Sequence, residues 1–183
     1  MITVYRIKND IDQFQYFLTK KKDEYNRLNM DGTPKFKNWS PPSVYIYRPK
    51  HQKGDFYNTS SGSLISNPGA TEILRPQYKA AGELLPLPYK QEIYTILNVT
   101  ACINCLDQER TKWIYSKATN TRLMIEKYAF HSDRFTSNIF KIPETCMSEV
   151  LVVEGLKSTK DEFRYIVESN RLRGLIFEKI WES

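Results

Sequence analysis

The sequence is poor in the residues that most enzyme chemistry relies on. It has two histidines, His51 and His131, in 183 residues. Any imidazole mechanism must use one of them, yet His51 stands beside lysines in a loop-like stretch and His131 follows an apolar run at a turn, both ordinary surface positions. Cysteines number three, Cys102, Cys105 and Cys146. That odd count does not make a disulfide framework and fits a reducing compartment. A phosphate-cradling glycine loop, H-E-x-x-H and G-x-S-x-G are all missing. No apolar run approaches the ~20 residues that span a bilayer. "MITVYRIKND" carries Arg6 and Lys8 where a signal peptide would have uninterrupted apolar residues. The expectation is a cytoplasmic protein that is not an enzyme, with no cofactor, no metal and no membrane contact. Asn58-Thr59-Ser60 and Asn98-Val99-Thr100 match the glycosylation pattern, which has no meaning without secretion.

What the chain does have is the composition of a soluble globular protein, 40% hydrophobic and 26% charged. That is enough for one domain to bury its core without disulfides or metals. Aromatics are abundant, with 12 Tyr, 9 Phe and 3 Trp. Tyrosines in loops offer contact area at little cost in rotamer entropy. The net charge of +6 is uneven: residues 1–60 hold 11 Lys/Arg against 6 Asp/Glu, and the rest hold 16 against 15. A basic N-terminal third suits an acidic protein, a nucleic acid, or simply a solvated face.

The pattern along the chain predicts α+β, a single domain over 1–183 with a mainly antiparallel or mixed sheet flanked by a few helices. "ITVYRI" reads as a strand. Asp10 and Gln13 have capping-box spacing, and Ile11, Phe14, Leu18, Tyr25 and Leu28 share a helical face, which predicts a core-packing helix there. From Asn29 to Gly62 the chain is irregular and basic, around the strand-like "VYIY". Asn67 caps a helix with Pro68 at its first position, and Pro76 marks its end. "GELLPLPY" is extended. "EIYTILNV" is a central strand, "LDQERTKW" allows one helical turn, and "TRLMIEKYAF", "NIFKIP" and "EVLVVE" are further strands. Thr159 and Glu162 form a capping box for a helix burying Phe163, Ile166 and Val167. Gly174 then turns the chain into a last strand, "LIFEKIW", with Phe177 and Trp181 on one face.

Cys102-Ile103-Asn104-Cys105 has the spacing of a redox or zinc pair. Zinc needs two further ligands, and Cys146, His51 and His131 are each isolated. A redox pair needs its first thiol at a helix N-terminus, whereas Cys102 continues from an apolar strand. Both cysteines are therefore read as small buried hydrophobes. Asp107 reads as a cap with Arg110 close enough to pair, rather than as half of a carboxylate pair with Glu109. "PKFKNW" and "VYIYRPKHQK" interleave cations and aromatics in a way that would suit nucleic acid, but no recognised nucleic-acid module is present, which keeps that reading second.

The order of the motifs is itself informative. "ILNVTACINCLDQERT", "NIFKIP", "VLVVEGLKSTKDEFRYIVESNRLRG" and "LIFEKIW" succeed one another over about residues 63–182. This succession resembles the bacterial immunity protein 11 family, found beside polymorphic toxins. The matching positions are Asn98, Leu106, Asp107, Glu109 and Thr111, then Phe140, then Phe163, Val167, Glu168, Gly174, Phe177 and Trp181. These are read as residues of the fold. The resemblance implies a non-enzymatic protein that binds and neutralises a toxin encoded next to it. Affinity in such a complex comes from a few buried aromatic anchors and on-rate from charge. The stretch 36–57 then supplies candidate anchors, Trp39, Tyr45, Tyr47, Arg48 and Tyr57, with Lys35, Lys37, Lys50 and Lys53 steering.

Overall fold

The runs "LVV" and "TILNV" are largely apolar instead of alternating, the pattern of strands buried on both faces, with Asn98 as a buried polar exception. The computed structural model describes residues 1–57, 62–145 and 148–183, and it has two such sheets. The first orders β10 (Ile139–Phe140), β11 (Leu151–Glu154), β1 (Thr3–Asn9) and β12 (Leu175–Glu182), all antiparallel. The second orders β4 (Phe56–Tyr57), β5 (Leu64–Ser66), β7 (Glu92–Val99) and β6 (Gly82–Tyr89), also antiparallel. Two ribbons, β2 (Tyr16–Thr19) with β3 (Val44–Tyr47) and β8 (Lys112–Tyr115) with β9 (Arg122–Lys127), complete the strands. The fold is α+β.

Strand alternation sorts the side chains into three clusters. Leu64, Leu97, Val99 and Phe56 of the second sheet meet Ile139, Val150 and Val152, together with α1 (Pro68–Ala81) and α2 (Phe163–Ser169). Neighbours one position away point oppositely. Leu151, Val153, Phe140 and Val4 face Leu106, Ile125 and Phe130. Tyr57, Ile65, Ile96, Leu85 and Leu87 face Phe17, Val44, Leu28 and Met30. The N-terminal third is woven into this frame, because β1 is an inner strand of the first sheet and β4 belongs to the second.

Four expectations need correction. The predicted helix near residues 10–28 is a turn, the strand β2 and a 3-10 segment over Lys22–Leu28. Asp10 does accept from the Gln13 amide at 3.1 Å, so the local cap forms, but Tyr16–Thr19 is taken up in pairing with β3. Pro76 does not end α1, which continues to Ala81 because Leu74, Tyr78 and Ala81 prolong its buried face. The capping box of α2 does not form: Glu162 instead accepts from the Gly155 amide, and a 3-10 turn over Thr159–Asp161 comes first. Phe177 and Trp181 lie on opposite faces. A bulge between the partners of Val4 and Tyr5 inserts Ile180, so Phe177 packs in the first cluster and Trp181 in the second.

Candidate functional site

The tip of the β6–β7 hairpin, the loop 48–55 after β3 and the start of α1 enclose a cleft of about 750 Å³, a size that suits a ligand or an inserted segment. Local sequence builds each wall. Lys90 takes a left-handed conformation, φ 53°, which closes the two-residue turn between Tyr89 and Glu92. Asn67 caps α1 by accepting from the Ala70 amide at 2.8 Å, and its own amide donates to Asp55 at 3.0 Å. Asp55 also accepts from the Arg173 backbone at 2.7 Å, which ties the end of the α2 unit to this rim.

The floor is aromatic. Phe17 stacks on Tyr57 at 5.0 Å and meets Tyr94 edge-on at 5.0 Å, and Tyr57 meets Tyr94 edge-on at 5.2 Å. The Tyr94 hydroxyl donates to Glu92 at 3.1 Å. Burial raises the pKa of both Tyr57 and Tyr94, so these hydroxyls stay protonated. The two acids of the cleft are thus engaged internally, Asp55 with Asn67 and Arg173 and Glu92 with Tyr94. Lys53, Lys90 and Arg173 stand around them, with Lys90 5.4 Å from the centre of the Tyr89 ring. The cleft combines aromatic walls with cations whose local carboxylates already serve the scaffold.

The candidates read from sequence separate into groups. Tyr45 and Lys53 line the cleft and are exposed, and Tyr57 lies beneath them. Tyr57 is 3% exposed and part of the third cluster, so it is floor and not a protruding anchor. Tyr47 is exposed but packs on Tyr16 at 5.3 Å. Arg48 donates to the Ile11 carbonyl at 3.1 Å and lies 3.8 Å from Asp12. Lys50 is exposed in the loop and stands outside the cleft lining. Trp39 donates to the Pro86 carbonyl at 2.8 Å and packs on the third cluster. It lines a separate shallow pocket with Lys35, Lys37 and Glu83. Lys35 pairs with Asp31 at 3.1 Å, so its charge is already answered. Tyr89, Lys90, Tyr94 and Arg173 were not singled out in the sequence. The available signal was two strand-like runs separated by two residues, which is a hairpin.

The cysteine pair divides. Cys105 is fully buried, and burial pushes its thiol up to about 12, which makes it inert. Cys102 is exposed, against the expectation, because the chain leaves the sheet at Thr100 and touches Lys141 through an isolated bridge. Cys146 and Asn58-Thr59-Ser60 lie outside the described residues. Among the described residues no three His, Cys, Asp or Glu side chains are grouped as a metal would need. No helix of the described residues is long and apolar enough to cross a membrane.

Several positions of the family-like motifs serve the fold. Asn98 is fully buried and donates at 2.9 Å to both the Thr33 carbonyl and Glu83. Burial works against the charged form of Glu83, yet donation from the Lys35 amide and from Asn98 holds its carboxyl below the usual range. Asp107 accepts from the Glu109 and Arg110 amides at 3.1 Å and has Arg110 at 3.7 Å, the bonds and the ion pair expected of it, although they close a turn over 108–110 and not a helix. Gly174 has φ 108°, and a Cβ there would lie 2.9 Å from the Phe56 carbonyl. No family model matches the chain, and no curated protein matches it.

Proposed function

We propose that the protein is an immunity protein, a cytoplasmic inhibitor that binds a cognate toxin encoded by the adjacent gene in a one-to-one complex and needs no cofactor. The cleft carries the reading. It offers aromatic surface and the cations Lys53, Lys90 and Arg173, while Asp55 and Glu92 are committed to internal hydrogen bonds. Its complement is an acidic, partly apolar segment of a protein partner. Such a contact gains on-rate from its charge and affinity from the tyrosine walls. The motif succession from Asn98 to Trp181 supports the same reading, since those residues hold the frame and leave the cleft-lining residues to a particular partner.

Co-expression with the product of the adjacent gene tests this. Rescue of growth and co-purification of a one-to-one complex are expected. Lys53→Glu with Lys90→Glu is expected to weaken that complex at least about tenfold, an effect of roughly 1.4 kcal/mol, with the unfolding midpoint unchanged. The absence of both toxicity and a complex would refute the reading. Salt-steep binding to single-stranded nucleic acid would then move the cleft to phosphate recognition.

A further inference from the structure

The β8–β9 ribbon departs from the rule that a ribbon buries one face and wets the other. Its inner face behaves: Ile125 is buried, Trp113 packs on the second cluster, and Arg122 lies 4.6 Å over the Trp113 ring while donating to Gln108 at 3.0 Å. The outer face is apolar and open to solvent. Leu123 is 63% exposed, Met124 59% and Ile114 41%. The register explains how two consecutive apolar residues both come outward. Ile114 pairs with Met124 and Tyr115 with Arg122, so Leu123 is the extra residue of a bulge and is turned out of its inward place.

Charge adds a second, independent oddity. Lys112 and Lys127 are direct cross-strand partners on the outer face beside Ile114, a like-charge pairing that costs stability. Among the described residues neither makes an ion pair. Lys112, Lys117, Arg122 and Lys127 stand against Glu126 on the ribbon, a surplus of three positive charges. A second copy of the chain on this face would set lysine pair against lysine pair. The hairpin tip, Ser116 to Thr121, is polar and closed by its own bonds, Ser116 amide to Thr121 carbonyl at 2.9 Å and Asn120 amide to Ser116 carbonyl at 2.9 Å. Insertion into a bilayer would place that polar tip first.

We infer that the outer face of the β8–β9 ribbon is a second docking surface for the cognate protein partner. It receives an apolar patch bordered by carboxylates, with an acid seated between Lys112 and Lys127 and apolar side chains on Ile114, Leu123 and Met124. The inference rests on the immunity reading and adds to it a surface distinct from the cleft.

The test titrates the purified product of the adjacent gene against wild-type protein, Leu123→Ser with Met124→Ser, and Lys112→Glu. Both variants are expected to raise Kd at least tenfold. Lys112→Glu also turns a like-charge pair into an opposite one, so its unfolding midpoint is expected to rise while its affinity falls. A residue with a merely structural role would move the two together. Wild-type affinity in both variants overturns this inference and leaves the immunity reading standing. Absence of wild-type binding removes both. Binding of wild type, but not of Leu123→Ser with Met124→Ser, to phosphatidylserine vesicles assigns the face to a membrane and overturns the inference. A concentration-dependent dimer abolished by the same variant does so as well.

Discussion

Lys141 is the most demanding single residue in the molecule. It is fully buried, and its ammonium donates to the carbonyls of Met30 and, at 2.9 Å, Gly62. Lysine is almost never buried without such partners, and these come from segments far away in sequence. One side chain thereby pins the 29–34 loop and the start of β5 to the end of β10. Lys141→Met keeps the aliphatic length and removes the donors, leaving carbonyls unsatisfied at about 1–3 kcal/mol for such a loss. A urea midpoint lowered by about 2–4 kcal/mol equivalent is expected. A change below about 0.5 kcal/mol would show that water serves those carbonyls equally well. Nothing in "NIFKIP" announced this, because the sequence shows a lysine in a strand and not the two carbonyls it meets.

At the scale of elements, α1 passes into β6 without a loop. Gly82 is both the cap of the helix and the first strand residue. It lies so close to β7 that a Cβ there would stand 2.0 Å from the Asn98 carbonyl and 2.8 Å from the Thr100 amide. The φ of 169° is one any residue can adopt, so the constraint is space, against backbone that cannot rotate away. Gly82→Ala is expected to push β6 off β7 and lower stability by about 2–3 kcal/mol in thermal or urea unfolding, at the upper end for overpacking. Because Asn98 also anchors Thr33 and Glu83, amide exchange should quicken in the 33–36 loop. The strands were legible where both faces are largely buried, as in "EIYTILNV" and "EVLVVE", since a short, mostly apolar run has few other uses. Two of the failures share one cause. Residues 10–19 and Pro76 carry correct local signals for a helix start and a helix stop, and tertiary pairing or a continuing buried face overrode them. The bulge at Ile180 that parts Phe177 from Trp181 is invisible in sequence because it is defined by the partner strand. The cleft was legible in part. Tyr45 and Lys53 came from the basic, tyrosine-rich stretch, whereas Tyr94 and Arg173 are brought there only by sheet order and the tie to Asp55.

Across the whole molecule the first sheet holds distant parts of the chain together, and charge helps at its centre. Arg6 of β1 reaches Glu149, ahead of β11, and Glu178 of β12, each at 2.7 Å, and Lys8 reaches Glu178 at 2.7 Å. The Tyr128 hydroxyl donates to both oxygens of Glu149, at 2.9 and 2.7 Å, which fastens the segment after β9 to the same cluster. Hydrogen bonds from Arg6 and then Lys8 hold the Glu178 carboxyl down at about 2, against an ordinary 4.5. A carboxyl depressed in the folded state contributes stability that is present above the unfolded value and lost as pH falls through the folded one. The window for Glu178 therefore runs from about 4.5 down to about 2. Its side chain is 38% exposed, so water and salt screen the pairs and the contribution is about 1 kcal/mol or less. Glu178→Gln is expected to lower the urea midpoint at pH 7, by less at pH 3, and by little near pH 2, where the wild-type carboxyl is half protonated in the folded protein. Added salt at pH 7 should shrink the difference in the same way, since it screens the same charges. A deficit that persisted unchanged at pH 2 would instead assign Glu178 to packing and hydrogen bonding along β12. In that case the neutral glutamine would fail for its shape, and the charge that holds the first sheet's distant strands would be that of Arg6 with Glu149, beside the side chains of its two buried faces.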